Sequence, residues 1–279
     1  MKDCTVVVCS CDDYEDVWEL FFCALRDNWD GCKYDVVLNT ESKQTDIHGV
    51  RVHNSKYLKE SDKWGERLIN TLNAISSKYV IVVLDDYVLE GKVNIDEIFN
   101  CINHMELNRD IAAFYLTTCS PDIVKDSQFN MFDKIAKRGN YKLNLAPAVW
   151  NKEKMLSYLR NDDTPWAWEF FGSYRAYKTK DLFYQVKNDV ENIYPYFTSG
   201  SAIFRGKWQR ERVMPLVEKY NLNLDLTKRG CVPLNPENSK RSWSWKIAFF
   251  RKGFEAIGFA VIIFIFRVLK SKILKKTIS

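Results

Sequence analysis

Glycine and proline are scarce, 11 and 7 of 279 residues, and no internal repeat runs through the chain. Collagen-like, mucin-like and mainly disordered architectures are thereby excluded. The chain also has no glycine-rich phosphate loop, no H-E-x-x-H motif and no nucleophile elbow, which removes several common enzyme classes. There are three histidines, and His48, His53 and His104 are too scattered to form a metal cluster; His48 and His53 read as strand or loop residues. Among the eight cysteines no pair has the C-x-x-C spacing of a zinc or redox site. Cys4, Cys9, Cys11, Cys23 and Cys32 lie in or near apolar runs, so reduced and mostly buried thiols are expected. The opening MKDCTVVVCS enters a strand directly, without the apolar region and small-residue cleavage site of a secretory signal, and the expected place of the body is the cytosol.

With 46% hydrophobic and 28% charged residues, the chain has the composition of a folded, enzyme-sized body, either one large α/β domain or two small ones. Its net charge of +5 is unevenly placed. Residues 240–279 hold ten Lys or Arg and one acid, which leaves the preceding 239 residues at −4. A nucleic-acid partner is disfavoured, because the positive charge sits beside an apolar segment rather than along an extended groove. That segment, IAFFRKGFEAIGFAVIIFIFRVL at 247–269, is densely apolar from Ala256 to Phe266 and leads into RVLKSKILKK. A bilayer span takes about 20 apolar residues, and here Arg251, Lys252 and Glu255 stand on the approach. The expectation is a helix lying in the headgroup layer of an anionic membrane surface. A short true span and a helix packed on another subunit or on the domain itself are the alternatives.

Alternation and run length give the body an α/β order. TVVVCS at 5–10 reads as a strand, VWELFFCAL as a helix packed on one face, and YDVVLN at 34–39 as a second strand. A connection of that length suits a crossover in a parallel sheet. Residues 62–76 read as a helix, and YVIVVLDD at 79–86 as a central strand, because its apolar stretch is continuous. Further on, 111–118 reads as a strand, 143–150 as a short strand or ordered loop, and 152–159 and about 169–178 as helices. The fold class expected is α/β, with a largely parallel or mixed central sheet flanked by helices and a C-terminal apolar, basic helical tail. The expected divisions are a catalytic body at 1–235, a linker at 236–246 around VPLNPENSK, and a membrane-associating tail at 247–279.

Asp85 and Asp86 follow the apolar run Val80–Leu84. In open α/β sheets ligands bind beyond the carboxyl ends of strands, so this acidic pair falls where a cation and phosphates meet. Carboxylates suit Mg²⁺ or Mn²⁺, which neutralises charge on a departing diphosphate. Adjacent residues of an extended strand point to opposite faces, so Asp86 is the preferred metal ligand, and Asp85 is left for the nucleoside ribose or for holding the loop. A solvated turn cap is the plainer reading of such a pair. Lys63 and Arg67, four apart on one helix face, are candidates for the donor diphosphate; Asp62 and Glu66 offer ordinary surface pairing instead. Arg205, Lys207, Arg210 and Arg212 suit a loop closing over phosphate, with Gly200 and Gly206 permitting the turns, or else a solvated basic face.

Taken in order, TVVVCSCDDYEDVW at 5–18, YDVVLNT at 34–40, DKWGERL at 62–68, YVIVVLDDYVL at 79–89, PWAWEF at 165–170 and SGSAIFRGKW at 199–208 resemble a nucleotide-sugar glycosyltransferase of the GT-A fold. The likeness is nearest to bacterial enzymes of capsular or lipopolysaccharide glycan assembly, and it covers roughly residues 1–225. The resemblance implies that the first donor loop is Ser10 to Tyr14, with Ser10 or Asp12 on the nucleotide. It implies that the acid-x-acid metal motif falls on Asp85-Asp86-Tyr87, where the third position is Tyr rather than an acid. It further implies that Glu169, preceded by Trp166 and Trp168, is the acid at the start of the acceptor-side helix. A carboxylate there suits a general base that takes the proton of an attacking hydroxyl in an inverting transfer, with a structural or substrate-orienting role as the alternative. Trp166 or Trp168 offers a flat face to a pyranose, and Asp162 and Asp163 offer acceptors to its hydroxyls; turn caps and core aromatics are the plainer readings.

The function expected is transfer of a sugar from a nucleotide-sugar donor to a hydroxyl of a glycan or polyprenyl-linked acceptor, at the cytoplasmic face of a membrane and without nucleic acid. A nucleotidyltransferase, and a membrane-attached carbohydrate-binding or assembly subunit without turnover, are the alternatives. Oligomeric state has no signature in the sequence.

Overall fold

The computed structural model describes residues 3–54, 63–126, 128–196, 201–233, 243–263 and 265–266. Asp62, Gly200, the linker around 236–242 and the basic run from 267 onward lie outside the described residues.

The chain opens with β1 (Cys4–Cys9), a short 3₁₀ turn (Asp12–Tyr14) and α1 (Glu15–Asn28), followed by β2 (Asp35–Thr40) and β3 (Val50–Asn54). Acidic Glu15 and Asp16 begin α1 and Arg26 closes it, each complementing the helix dipole. Next come α2 (Trp64–Ala74), β4 (Tyr79–Leu84), α3 (Ile95–Leu107) and β5 (Ile111–Tyr115). The Asn94 side chain caps α3 by accepting from Glu97 N at 3.1 Å. After β6 (Ile123–Val124), β7 (Phe132–Ile135) and β8 (Ala148–Asn151), the chain forms α4 (Lys152–Tyr158) and α5 (Pro165–Ala167). A π-helical turn (Trp168–Gly172) then leads to α6 (Ser173–Ala176) and β9 (Leu182–Val186). The last elements are β10 (Ile203–Phe204), β11 (Lys207–Gln209), α7 (Arg210–Lys219), β12 (Cys231–Val232) and α8 (Trp243–Ile257).

Nine strands form one mixed sheet in the order β3-β2-β1-β4-β8-β5-β9-β7-β6. β1 runs parallel to β2 and β4, and β2 parallel to β3, so this half of the sheet is parallel throughout. β8 inserts antiparallel between β4 and β5, which makes the sheet mixed. Strand alternation sends Val6, Val8, Ile81 and Val83 into a core shared with α1 and α3, and Val7, Cys9, Val80 and Val82 into a core shared with α2 and α4. Burying each such aliphatic side chain contributes about 1.5–3 kcal/mol. The central strands are therefore covered on both faces, which is why their sequence is continuously apolar.

The helix expected over about 169–178 is present but starts earlier, running without interruption from Pro165 to Ala176 as α5, the π-helical turn and α6. Trp168 is fully buried beside Trp64 and Trp150, with ring centroids 6.1 Å away in each case, while Phe171 turns toward α8. On α8, Phe249 meets Phe170 edge-on at 5.3 Å and Phe171 at 4.9 Å. Gly253 permits this approach, since a Cβ there would lie 2.7 Å from the Phe171 ring. Among the described residues no helix is long and apolar enough to cross a membrane.

Candidate functional site

β1 and β4 end side by side, and their carboxyl ends open onto a cavity of about 900 Å³. The pairing continues past the strands: Ser10 N donates to Asn39 O at 3.0 Å, and Asp85 N to Cys9 O at 3.3 Å. Ser10, Lys63, Arg67, Asp85, Asp86, Trp166 and Glu169, widely separated in sequence, all line this cavity.

The two aspartates differ in surroundings. Asp85 is buried; its carboxylate accepts from the Ser10 hydroxyl, which in turn accepts the Trp18 Nε1 proton at 2.6 Å. Burial, and then the neighbouring Asp86 charge, push the Asp85 carboxyl well above the usual carboxylate range. Burial likewise raises Asp86 to about 6, partly offset by a hydrogen bond from Ser201. The main chain of Asp86 is fixed by Ala202 N, which donates to its carbonyl at 2.8 Å. Glu169, which lines the same cavity, sits on the π-helical turn, an irregularity that often marks functional positions. Its Oε1 accepts from Leu145 N at 3.3 Å, and burial raises its carboxyl above the ordinary value.

Arg67 is a buried part of the cavity lining, paired with Glu41 at 2.7 Å and donating to Ser10 O at 3.3 Å. Lys63, just before α2, is exposed at the rim. Of the distal cations, only Arg205 faces the cavity. Arg205 (φ 51°) and Gly206 (φ 79°) form the two-residue turn between β10 and β11, and both central residues have the positive φ of a type I′ hairpin. Lys207 and Arg210 are exposed, and Arg212 is buried.

Four further sequence candidates stand outside the cavity. Asp12 ties the first loop to the segment after β2: its carboxylate accepts from Glu41 N (3.2 Å), Ser42 N (3.0 Å) and Lys43 N (3.1 Å), and from the Ser42 hydroxyl. Asp163 is 2% exposed, clamped by both terminal nitrogens of Arg175 at 2.6 and 2.7 Å and accepting from Arg160 N at 2.9 Å, so its carboxylate is committed within the protein. Trp168 is fully buried and donates to Asn144 O at 3.3 Å. Asp162 is exposed and does not line the cavity. Tyr14 and Tyr87, named in the sequence only as members of motifs, also line it, as do Glu41 and Ser201, which the sequence reading passed over. Glu41 follows the end of β2, so the strand-end rule that singled out Asp85 would have found it. Ser201 carries no such signal, because the chain returns to the site only through tertiary folding.

No group of three or more His, Cys, Asp or Glu among the described residues is arranged to hold a metal ion. Asp86 alone fits the donor set of a Mg²⁺ or Mn²⁺ shared with substrate, since such ions are commonly held by one or two carboxylates plus phosphate oxygens. A carboxyl raised by burial gains a counter-charge there. Asp85, already engaged by Ser10, fits that part less well.

No protein-family model matches the chain, and no curated protein matches it in sequence. Solved structures match it in fold. S. aureus TarS is 12% identical over 94% of this chain and 50% of its own, with a TM-score of 0.50, so the chain spans half the length of that protein. A cytidylyltransferase from Leptospira borgpetersenii is 10% identical over 86% of this chain and all of its own, with a TM-score of 0.42. Glucosyl-3-phosphoglycerate synthase from Mycobacterium tuberculosis, in complex with Mn²⁺ and UDP-glucose, is 13% identical over 41% of this chain and 43% of its own, with a TM-score of 0.30. The architecture is α/β and GT-A-like, with a mixed central sheet flanked by helices.

Proposed function

We propose that the chain is a glycosyltransferase that moves a sugar, with inversion, from a nucleotide-sugar donor to a hydroxyl of a glycan or lipid-linked glycan. Its setting in this reading is capsular or lipopolysaccharide assembly at the cytoplasmic face of a membrane. The observation that carries the reading is one cavity lined both by Asp86, just past the end of β4, and by Glu169 on the π-helical turn, both carboxyls raised by burial. Ser10 and Asp85 hold the nucleoside end of the donor, and Lys63 and Arg205 meet its diphosphate, with Arg67 fixing the cavity lining. Asp86 would hold Mg²⁺ or Mn²⁺, which when bound neutralises charge on the leaving diphosphate. Trp166, 56% exposed at the rim, presents a ring face to the acceptor sugar. Glu169 takes the hydroxyl proton as the acceptor oxygen bonds to the anomeric carbon and the bond from that carbon to the diphosphate oxygen breaks. A carboxyl raised toward neutrality is the better proton acceptor near pH 7, provided it remains ionised. Asp12, Asp163 and Trp168 hold the walls.

The test is turnover by purified protein in mild detergent, with UDP-, GDP-, TDP- and CMP-sugars, with and without Mg²⁺ or Mn²⁺, and with bacterial membrane lipid extract as acceptor. Released nucleotide and a sugar-bearing product, read by mass spectrometry, support the proposal. Pyrophosphate release from a nucleoside triphosphate and a sugar phosphate would assign a nucleotidyltransferase instead. Tyr87 at the third motif position favours one further outcome, glycan binding without turnover, which would identify a non-catalytic assembly subunit.

A further inference from the structure

Nine of the fourteen large hydrophobic side chains exposed among the described residues lie between Trp243 and Phe266. This concentration exceeds the scatter of a normal soluble surface. Within α8 the spacing separates two apolar faces. Phe249, Gly253 and Ala256 share the face that packs on Phe170 and Phe171. Trp243, Ile247, Phe250 and Phe254, spaced i, i+4, i+7 and i+11, share another, and they are 77%, 68%, 43% and 43% exposed. Phe259 extends that surface, meeting Phe254 edge-on at 5.1 Å.

Charge identifies what covers it. Lys246 and Arg251 are exposed one residue before Ile247 and one after Phe250, and the sequence from 240 onward carries ten basic residues against one acid. An apolar stripe bordered by cations on a helix too short to span matches an anionic bilayer surface, where rings enter the acyl boundary and Lys and Arg meet phosphates. A second copy of this chain would oppose like charge to like. The docked face adds a spatial consequence. An aromatic series runs from the cavity rim to α8: Trp166 stacks with Phe170 at 6.4 Å, Phe170 meets Phe249 at 5.3 Å, and Phe249 stacks on Trp245 at 5.0 Å.

We infer that α8 lies in the interface of an anionic membrane through Trp243, Ile247, Phe250 and Phe254, while its neighbouring face, at Phe249 and Gly253, buttresses the turn bearing Glu169 and sets the cavity mouth, at Trp166, against the lipid surface. The inference deepens the proposed transfer reaction, on which its catalytic meaning rests: the acceptor hydroxyl belongs to a lipid-anchored molecule that enters from the membrane plane.

The full chain is sedimented with vesicles of phosphatidylcholine alone and of phosphatidylcholine mixed with phosphatidylglycerol. Binding to the anionic vesicles that weakens with salt is expected, with a roughly hundredfold lower partition for the I247E/F254E double variant. Brominated-acyl lipids should quench tryptophan fluorescence, and W166F should lose part of the quenchable signal. Retained binding by the double variant, equal binding to both vesicle types, or a quenchable signal unchanged in W166F would overturn the inference. So would a dimer, by sedimentation velocity, that the double variant dissociates while vesicles go unbound. Circular dichroism and nucleotide binding of the double variant guard against misfolding. Vesicle binding as expected, without turnover of any donor, would leave the surface standing and remove the transferase reading alone.

Discussion

The Ser10 hydroxyl donates to the Asp85 carboxylate and accepts the indole proton of Trp18 at 2.6 Å, so the end of β1, the body of α1 and the end of β4 share one buried polar contact. Ser10→Ala leaves the Trp18 N–H and a buried carboxyl without that partner. A loss of about 1–3 kcal/mol is expected in urea unfolding, with the midpoint lowered and the slope unchanged. An unaltered midpoint would mean that the three groups find water or one another at no cost.

Asp86 supplies a pH-dependent prediction. Its carboxyl moves from an ordinary 3.8 to about 6, chiefly through burial. The folded chain therefore holds this proton more tightly than the unfolded chain does. Its stabilising contribution is complete below the unfolded value and is lost as pH rises through about 6. In chelator-treated buffer Asp86→Asn should melt above the wild type at about pH 8, the difference narrowing toward about pH 4. The same variant should transfer sugar poorly. A melting difference independent of pH would show that the Asp86 carboxylate is well solvated.

Glu169→Gln keeps the shape of the turn and the contact with Leu145 while removing the proton acceptor. Turnover should fall by roughly 10²- to 10⁴-fold with nucleotide binding unchanged by calorimetry. In the wild type the acid limb of the rate profile should lie above 4.5, the ordinary glutamate value, because burial raises this carboxyl. A variant with undiminished turnover assigns the base elsewhere.

The centre of the sheet is legible in the sequence because β1 and β4 are covered on both faces and so are written as unbroken apolar runs. The outer strands are not. β9, with LFYQV between charged residues, and the two-residue β6 have too little pattern to separate strand from loop. Asp85 and Asp86 were readable from their place at a strand end. The acidic pair Asp162-Asp163 was not, since the role of Asp163 is decided by Arg175, twelve residues away and brought near only by the turn between them. The turn itself escaped notice because no residue preference distinguishes a π-helical turn from the α-helix around it.

Trp166 and Trp168 make the same point experimentally, being one residue type two positions apart. On a regular helix such a pair points to different sides, and here one is 56% exposed at the cavity rim while the other is fully buried beside Trp64 and Trp150. Trp168→Ala should open a large cavity and cost about 3–5 kcal/mol. Trp166→Ala should leave the melting temperature nearly unchanged, because little buried area is lost, and should instead raise the KM for acceptor with a small effect on donor binding. The two variants thus separate a wall of the site from a surface of it. If Trp166→Ala destabilised the chain as strongly as Trp168→Ala, its stacking on Phe170 would be the whole of its role, and the acceptor would have to be held by other residues.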